Sequence, residues 1–343
     1  MSKRILIVAS PRWETGLSFS YKRAFESLGF ELFFFHLESW RRQLMPFGVL
    51  GRRLIPHLDF LTVNAKANRE IILKIDEVQP QIVIVMGRAP TRAATLAQIK
   101  INYPEIKLVN IYPDPIHNLH AEQIASLAMY DLFGIHTKAA VPYLQKFGCS
   151  NACYLPLAAD PELHYPIELS EQDRIEFGAD VVFVGNWRAE HEQMLSALEG
   201  FELAIWGPNW GRKAQRGSWV RRCWRGRTLT TGAEYAKAHL AAKIGLNPID
   251  LLNRTTHDQR LFELPACGAF ALVTRTDEVM ELFQEGETVD CFGTPEELVN
   301  KVIYYLEHED ERREIARKSY EFVLSDGHTY RERAQTILEK LNL

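Results

Sequence analysis

Short apolar runs alternate with amphipathic stretches along most of the chain. Ile5 to Ala9 is apolar without a break, the pattern of a parallel strand covered on both faces. A loop around Gly16 and a helix from about Phe19 to Leu28 follow. Further strands are predicted at Glu31–His36, Ile82–Met86, Lys107–Tyr112 and Asp131–His136, with a helix near Asn64–Val78. The alternation breaks over residues 156–179, where Pro156, Pro161, Pro166 and many acidic side chains read as a linker. It restarts with strands at Val181–Val184, Glu202–Trp206, Ile244–Asn247, Phe270–Val273 and Thr288–Cys291. Helical stretches from about Pro295, Asp310 and Tyr330 end the chain. Strands separated by helices predict right-handed crossovers, hence two successive doubly wound α/β domains with a helical tail. The expected boundaries are 1–165, 166–325 and a final helix over 326–343.

The 343-residue length agrees with two domains, at roughly 150 residues each. Hydrophobic residues at 46% and charged residues at 24% exclude a disordered or fibrous chain. Forty Lys+Arg against 44 Asp+Glu leave a formal net charge of -4, so nothing points to binding nucleic acid through overall charge. No apolar run approaches the roughly 18 residues of a membrane span. The apolar run in MSKRILIVASPRWE is too short for a signal peptide. Cys149, Cys153, Cys223, Cys267 and Cys291 are an odd set without a C-x-x-C pair, which fits unpaired thiols and a cytoplasmic location.

Open α/β sheets bind ligands at the carboxyl ends of their strands, and two such domains would face each other across a cleft. Val184-Gly185-Asn186-Trp187-Arg188 is a strand that ends in glycine and enters a helix. Free N–H groups, the helix dipole and an arginine there suit a phosphate. Trp206-Gly207-Pro208-Asn209-Trp210 repeats the device. Each glycine alone is equally explained as a turn residue. Neither G-x-G-x-x-G after the first strand nor a P-loop motif is present. The richest run is Asn253 to Phe270. Asp258 or Thr256 can cap a helix running to about Ala266, which Gly268 ends. Arg260 and Glu263 share a face of that otherwise apolar helix. A charged pair on a mostly buried helix is costly without a partner or ligand.

The run Thr255 to Phe270 resembles the signature of CgeB-like glycosyltransferases, which belong to the GT-B class of two facing Rossmann-like domains. Glu263-x-x-Ala266-Cys267-Gly268 also has the spacing of the wider group of retaining GT-B enzymes. The resemblance implies a nucleotide diphosphate sugar as donor substrate, with Glu263 holding the ribose hydroxyls and Arg260 and His257 near the diphosphate. Gly185 and Arg188 match the phosphate-side turn and Gly207 the following one. Asn186, Trp187, Asn247, Thr255, Leu261 and Phe262 complete the donor-binding set. The last helix is implied to cross back onto the first domain. One departure is Thr255, eight positions before Glu263, where the retaining group carries an acid; no stereochemistry is carried over. The D-x-D signature is absent, and the class balances its leaving diphosphate without a metal, so no cofactor is expected.

Acceptor binding and a base are expected at strand ends of the first domain. Arg12, Trp13 and Gly16 follow the first strand, His36 the second, and Gly87-Arg88 the third. Asp114, between Pro113 and Pro115 after the fourth, is the first choice of base, followed by His117 and His120. A turn or cap role explains Asp114 as well, and a solvated helix face explains the histidines. Basic residues cluster at 211–227, which can meet a membrane surface, an anionic acceptor or RNA or be an insertion loop with solvated charges, and at 41–55, which suits a lid or acceptor-side loop able to touch lipid. The leading expectation is metal-independent transfer of a sugar to an acceptor nucleophile in the interdomain cleft. The competing ones are a nucleotide-sugar epimerase or hydrolase of the same fold and a non-catalytic two-lobed binding protein.

Overall fold

A computed structural model describes residues 3–9, 16–36, 64–87, 89, 91–229, 232–249 and 255–343. The chain divides into two compact units, one of Met1–Pro156 with Tyr330–Leu343, the other of Leu157–Thr329. The divisions thus fall at 156/157 and 329/330, where the sequence pattern set them at 165/166 and 325/326. Among the described residues, no helix is long and apolar enough to cross a membrane.

Unit 1 is built on a parallel sheet of β1 (Arg4–Ala9), β2 (Glu31–His36), β3 (Ile82–Met86), β4 (Lys107–Tyr112), β5 (Leu132–Ile135) and β6 (Ala152–Tyr154), in the order β2-β1-β3-β4-β5-β6. Helices α1 (Leu17–Ser27), α2 (Asn64–Val78), α3 (Ala93–Asn102), α4 (Ala121–Ser126) and α5 (Val141–Lys146) connect them. The uninterrupted apolar strands have the expected cause: Ile5 to Val8 are wholly buried. Ile7 stands between Phe34 of β2 and Ile84 of β3 in register. β6 lies within a stretch that the sequence pattern left unassigned.

Unit 2 repeats the design. α6 (Glu171–Phe177) leads into β7 (Ala179–Val184), α7 (Ala189–Ser196), β8 (Leu203–Trp206), α8 (Trp210–Lys213), α9 (Trp219–Arg222), α10 (Ala233–Ala241) and β9 (Ala242–Asn247). Then come α11 (Arg260–Ala266), β10 (Ala271–Thr274), α12 (Asp277–Leu282), β11 (Asp290–Phe292), α13 (Pro295–Glu307) and α14 (Glu309–Ser325). The parallel sheet has the order β11-β10-β9-β7-β8. The order reverses between β7 and β9, which are paired, so the crevice expected to take a ligand lies at their carboxyl ends, at Val184-Gly185 and Asn247. The helix α15 (Tyr330–Lys340) belongs to unit 1, where Tyr330 packs 5.1 Å from the Tyr21 ring of α1 and Arg333 Nε donates to the Pro156 carbonyl at 2.9 Å.

Two expectations from the sequence are corrected here. Residues 157–179 are not a linker: they belong to unit 2, bury Ala158, Ala159, Asp160 and His164, and include α6. Ser170 caps α6 by accepting from the Asp173 N–H at 3.1 Å. Proline and acid content hid a segment whose order comes from long-range contacts. Nor is 211–227 a plain solvated loop. After its two short helices, the chain pairs with the edge of β8: the Ile205 N–H donates to the Cys223 carbonyl and the Arg225 N–H to the Ile205 carbonyl, while Trp210, just before the segment, is wholly buried. Arg227 stacks on Trp206 and Phe177, 5.2 and 5.5 Å from their ring centres, and ion-pairs with Glu176 and Glu234. The 41–55 segment lies outside the described residues. All five cysteines are free thiols. Burial pushes Cys149 and Cys291 up to about 11 and about 12, away from reactivity at neutral pH.

Candidate functional site at the β7 and β9 strand ends

Helix α11 sets the geometry. Gly268, at φ 79°, ends it with a Schellman closure: its N–H donates to the Pro265 carbonyl and that of Ala269 to Leu264. The start differs from expectation. Neither Thr256 nor Asp258 caps the helix. Asp258 instead accepts from Asn247 Nδ2 at 2.8 Å through Oδ1 and from Arg260 Nε and Nη2 at 3.1 and 2.6 Å through Oδ2. Arg260 extends Nη1 to the Val184 carbonyl at 3.4 Å and lies 5.1 Å over the Phe183 ring. Asn247, Asp258 and Arg260 thereby tie the end of β9 to the end of β7 across the crevice. Burial alone would lower the Arg260 pKa, but the Asp258 carboxylate outweighs it and the net shift is upward.

Arg260 and Glu263 are therefore not each other's partners. Glu263, buried at 7% exposure, accepts from the Tyr235 hydroxyl at 3.1 Å through Oε2. Its Oε1 lies 3.4 Å from His164 Nε2, close but outside hydrogen-bond geometry. Burial raises the Glu263 pKa, and His164, the Tyr235 hydrogen bond and Arg260 pull it part of the way back. Burial likewise raises Tyr235, with Glu263 adding to it. His239 packs on Tyr235 at 4.5 Å. Sequence reasoning missed His164, Tyr235 and His239. His164 sat in the supposed linker, and the two α10 residues sit in an Ala-rich helix that offers no local signal.

His239 yields a test. Burial, helped by Arg260 and His164, pushes its pKa from 6.5 down to about 3. Between those values the unfolded chain holds a proton that the fold rejects, so stability falls as pH falls from 6.5 towards 3, by about 1.4 kcal/mol per unit. His239→Phe is expected to remove that increment from the slope of urea-unfolding free energy against pH. A variant with the wild-type slope would show that His239 is not the titrating group.

Several predicted donor residues have other work. His257 is wholly buried, and its Nε2 accepts the Leu157 N–H at 3.1 Å, so Nδ1 donates to Glu278 at 2.9 Å. Both ring nitrogens are used by the protein, and His257 is a buried tie, not a diphosphate ligand. Leu261 and Phe262 are wholly buried core residues. A Cβ on Gly185 would sit 2.9 Å from Arg260 Nη1, so the space that its lack of side chain opens is taken by that arginine. A Cβ on Gly207, at φ 144°, would lie 2.0 Å from the Gly185 carbonyl oxygen, so Gly207 is required by its neighbouring turn.

Asn186, Arg188 and Thr255 are exposed, and Trp187 is half-buried with its indole N–H on Glu192 at 2.7 Å. The first turn of α7 carries Glu190 and Glu192, which already complement the dipole that was expected to face a phosphate. Asn247 is wholly buried, and its Oδ1 has no hydrogen-bond partner among the described residues. In unit 1, Asp114 is half-buried directly after β4, and His117 and His120 are exposed. The His120 N–H donates to Gln123, whose side chain reaches the Gly87 carbonyl at 3.0 Å. Gly16 starts α1. Arg12, Trp13 and Arg88 lie outside the described residues, as does the side chain of His36.

Residues 188–339 match the family described as glycosyl transferase-like. No curated protein sequence matches the chain. Among solved structures, a glycosyltransferase from Rickettsia africae superposes at TM-score 0.66, with 13% identity over 98% of this chain and 97% of that one. Anabaena HepE in complex with UDP-glucose superposes at 0.64, with 13% identity over 99% of each chain. A Listeria monocytogenes protein assigned as a UDP-N-acetylglucosamine 2-epimerase superposes at 0.57, with 14% identity over 100% and 96%. At this identity the likeness is one of fold. The chain has the GT-B fold, and residues 188–339 are similar to the glycosyl transferase-like family.

Proposed function

We propose that the protein is a glycosyltransferase of the CgeB-like kind. Unit 2 binds a nucleotide diphosphate sugar, unit 1 binds the acceptor nucleophile, and no metal takes part. The observation that carries the reading is Glu263, a carboxylate held almost buried one turn into α11, beside the β7 and β9 switch point. A carboxylate there accepts from both vicinal hydroxyls of a ribose, and Tyr235 aims it. Support for the subfamily is the run Thr255 to Phe270. The solved relative HepE holds UDP-glucose in the same fold, which supports a nucleotide-sugar donor. Asp114 is the proposed base, aimed by its flanking prolines.

Incubation with UDP-, GDP-, ADP- and dTDP-sugars, with and without acceptors, tests this reading. Donor loss that requires an acceptor is the expected result. Loss without one would favour the epimerase or hydrolase reading, for which the Listeria fold relative speaks. Binding without loss would mean a binding protein. Asp114→Asn is expected to keep donor binding and to lower turnover by about 10²- to 10⁴-fold. Retained turnover would place the base elsewhere.

A further inference from the structure

At the amino ends of β9 and β10, the opposite end of the unit 2 sheet from Glu263, lies a cavity of about 280 Å³. The cavity is also lined by His239, which packs on Tyr235. Its charged lining is Arg174 of α6, Lys243 of β9, and Glu309, Arg312 and Arg313 of α14. Glu309 is held by Arg313, and Lys243 Nζ lies 2.9 Å from Asp180 Oδ1. Arg174 and Arg312 differ. Among the described residues, neither has a carboxylate within ion-pair distance.

Arg312 is 7% exposed, and its guanidinium donates to the Tyr305 carbonyl. An arginine head presents five donors, and burying it with one carbonyl partner is unfavourable. Burial pulls its pKa below the usual arginine range, with Glu309 opposing and Arg313 reinforcing. A cationic recess floored by a buried, under-bonded guanidinium is matched by a dianion that accepts in the fork geometry of arginine. The volume exceeds the few waters that a phosphate group displaces, so an attached moiety has room.

We propose that this cavity binds a phosphate-bearing anion through Arg174, Lys243 and Arg312. The inference is independent of the donor reading. Inorganic phosphate is titrated calorimetrically into the full chain at ionic strength held constant with chloride. Saturable binding is expected, at least tenfold weaker in Arg174→Ala/Lys243→Ala and unchanged in Glu263→Ala. Should the double variant not fold, Arg174→Glu at its exposed position serves the same purpose. Absence of saturation, or equal affinity in the cavity variants, overturns the proposal. Sedimentation with phosphatidic acid vesicles distinguishes the source. Pelleting that the same variants abolish supports a lipid headgroup, and phosphate binding without pelleting supports a soluble phosphate compound.

Discussion

Glu263→Ala is expected to weaken binding of the nucleotide diphosphate by about 10- to 100-fold, since a hydrogen bond to a charged acceptor contributes about 1.5–3 kcal/mol. The variant also strands the Tyr235 hydroxyl, whose partner is the Glu263 carboxylate. A lower melting temperature is therefore expected, short of unfolding. Glu263→Gln keeps an acceptor oxygen and separates the two effects. The pH dependences run in opposite directions. Burial raises the Glu263 pKa, so its contribution to stability is present below the usual carboxylate range and is lost as pH rises through the raised value. Ribose hydroxyls donate to the ionised form, so nucleotide affinity falls as pH drops through that same value. Calorimetry across pH reads both. Unchanged affinity in Glu263→Ala removes the residue from the site and takes the donor reading with it.

Asp258→Ala is expected to have the larger effect on stability. The substitution leaves Arg260 over Phe183 with the Val184 carbonyl at 3.4 Å, and leaves the Asn247 amide without its partner. Breaking a buried pair costs about 3–5 kcal/mol. Asp258 and Arg260 retain 20% and 16% side-chain exposure, so solvent screening brings the expectation to about 2–3 kcal/mol. Nucleotide affinity falls with it, because the pair bridges the ends of β7 and β9. Urea unfolding measures the first effect and calorimetry the second. The double variant Asp258→Asn/Arg260→Gln removes both charges and is expected to recover much of the stability. An Asp258→Ala midpoint equal to wild type would mean that the bridge contributes nothing to the fold.

The strands other than β6 were legible because a strand buried on both faces writes itself as a local apolar run, as Ile5–Ala9 and Val181–Val184 do. Helix α11 was legible for the same kind of reason: its apolar positions and Gly268 lie within one short segment. Glu263 stood out by resemblance. Its partners did not, because an acid that is a donor ligand and an acid in a surface pair have the same spacing to Arg260. His257 was misread for a related reason. In a run that resembles a nucleotide-sugar signature a histidine suggests a phosphate ligand, whereas its ring closes a tie between Leu157 and Glu278.

Local periodicity therefore carried the order of the strands other than β6, the α/β class and the helix that bears Glu263. Those features depend on neighbours a few positions away. The Asp258 bridge, the Tyr235 hydrogen bond and the tie from His257 to Leu157, 100 positions apart in the chain, exist only once β9 has paired beside β7 and the 157–179 segment has packed back. No local pattern encodes which strands become neighbours, so the partners of each polar side chain wait on the folded sheet.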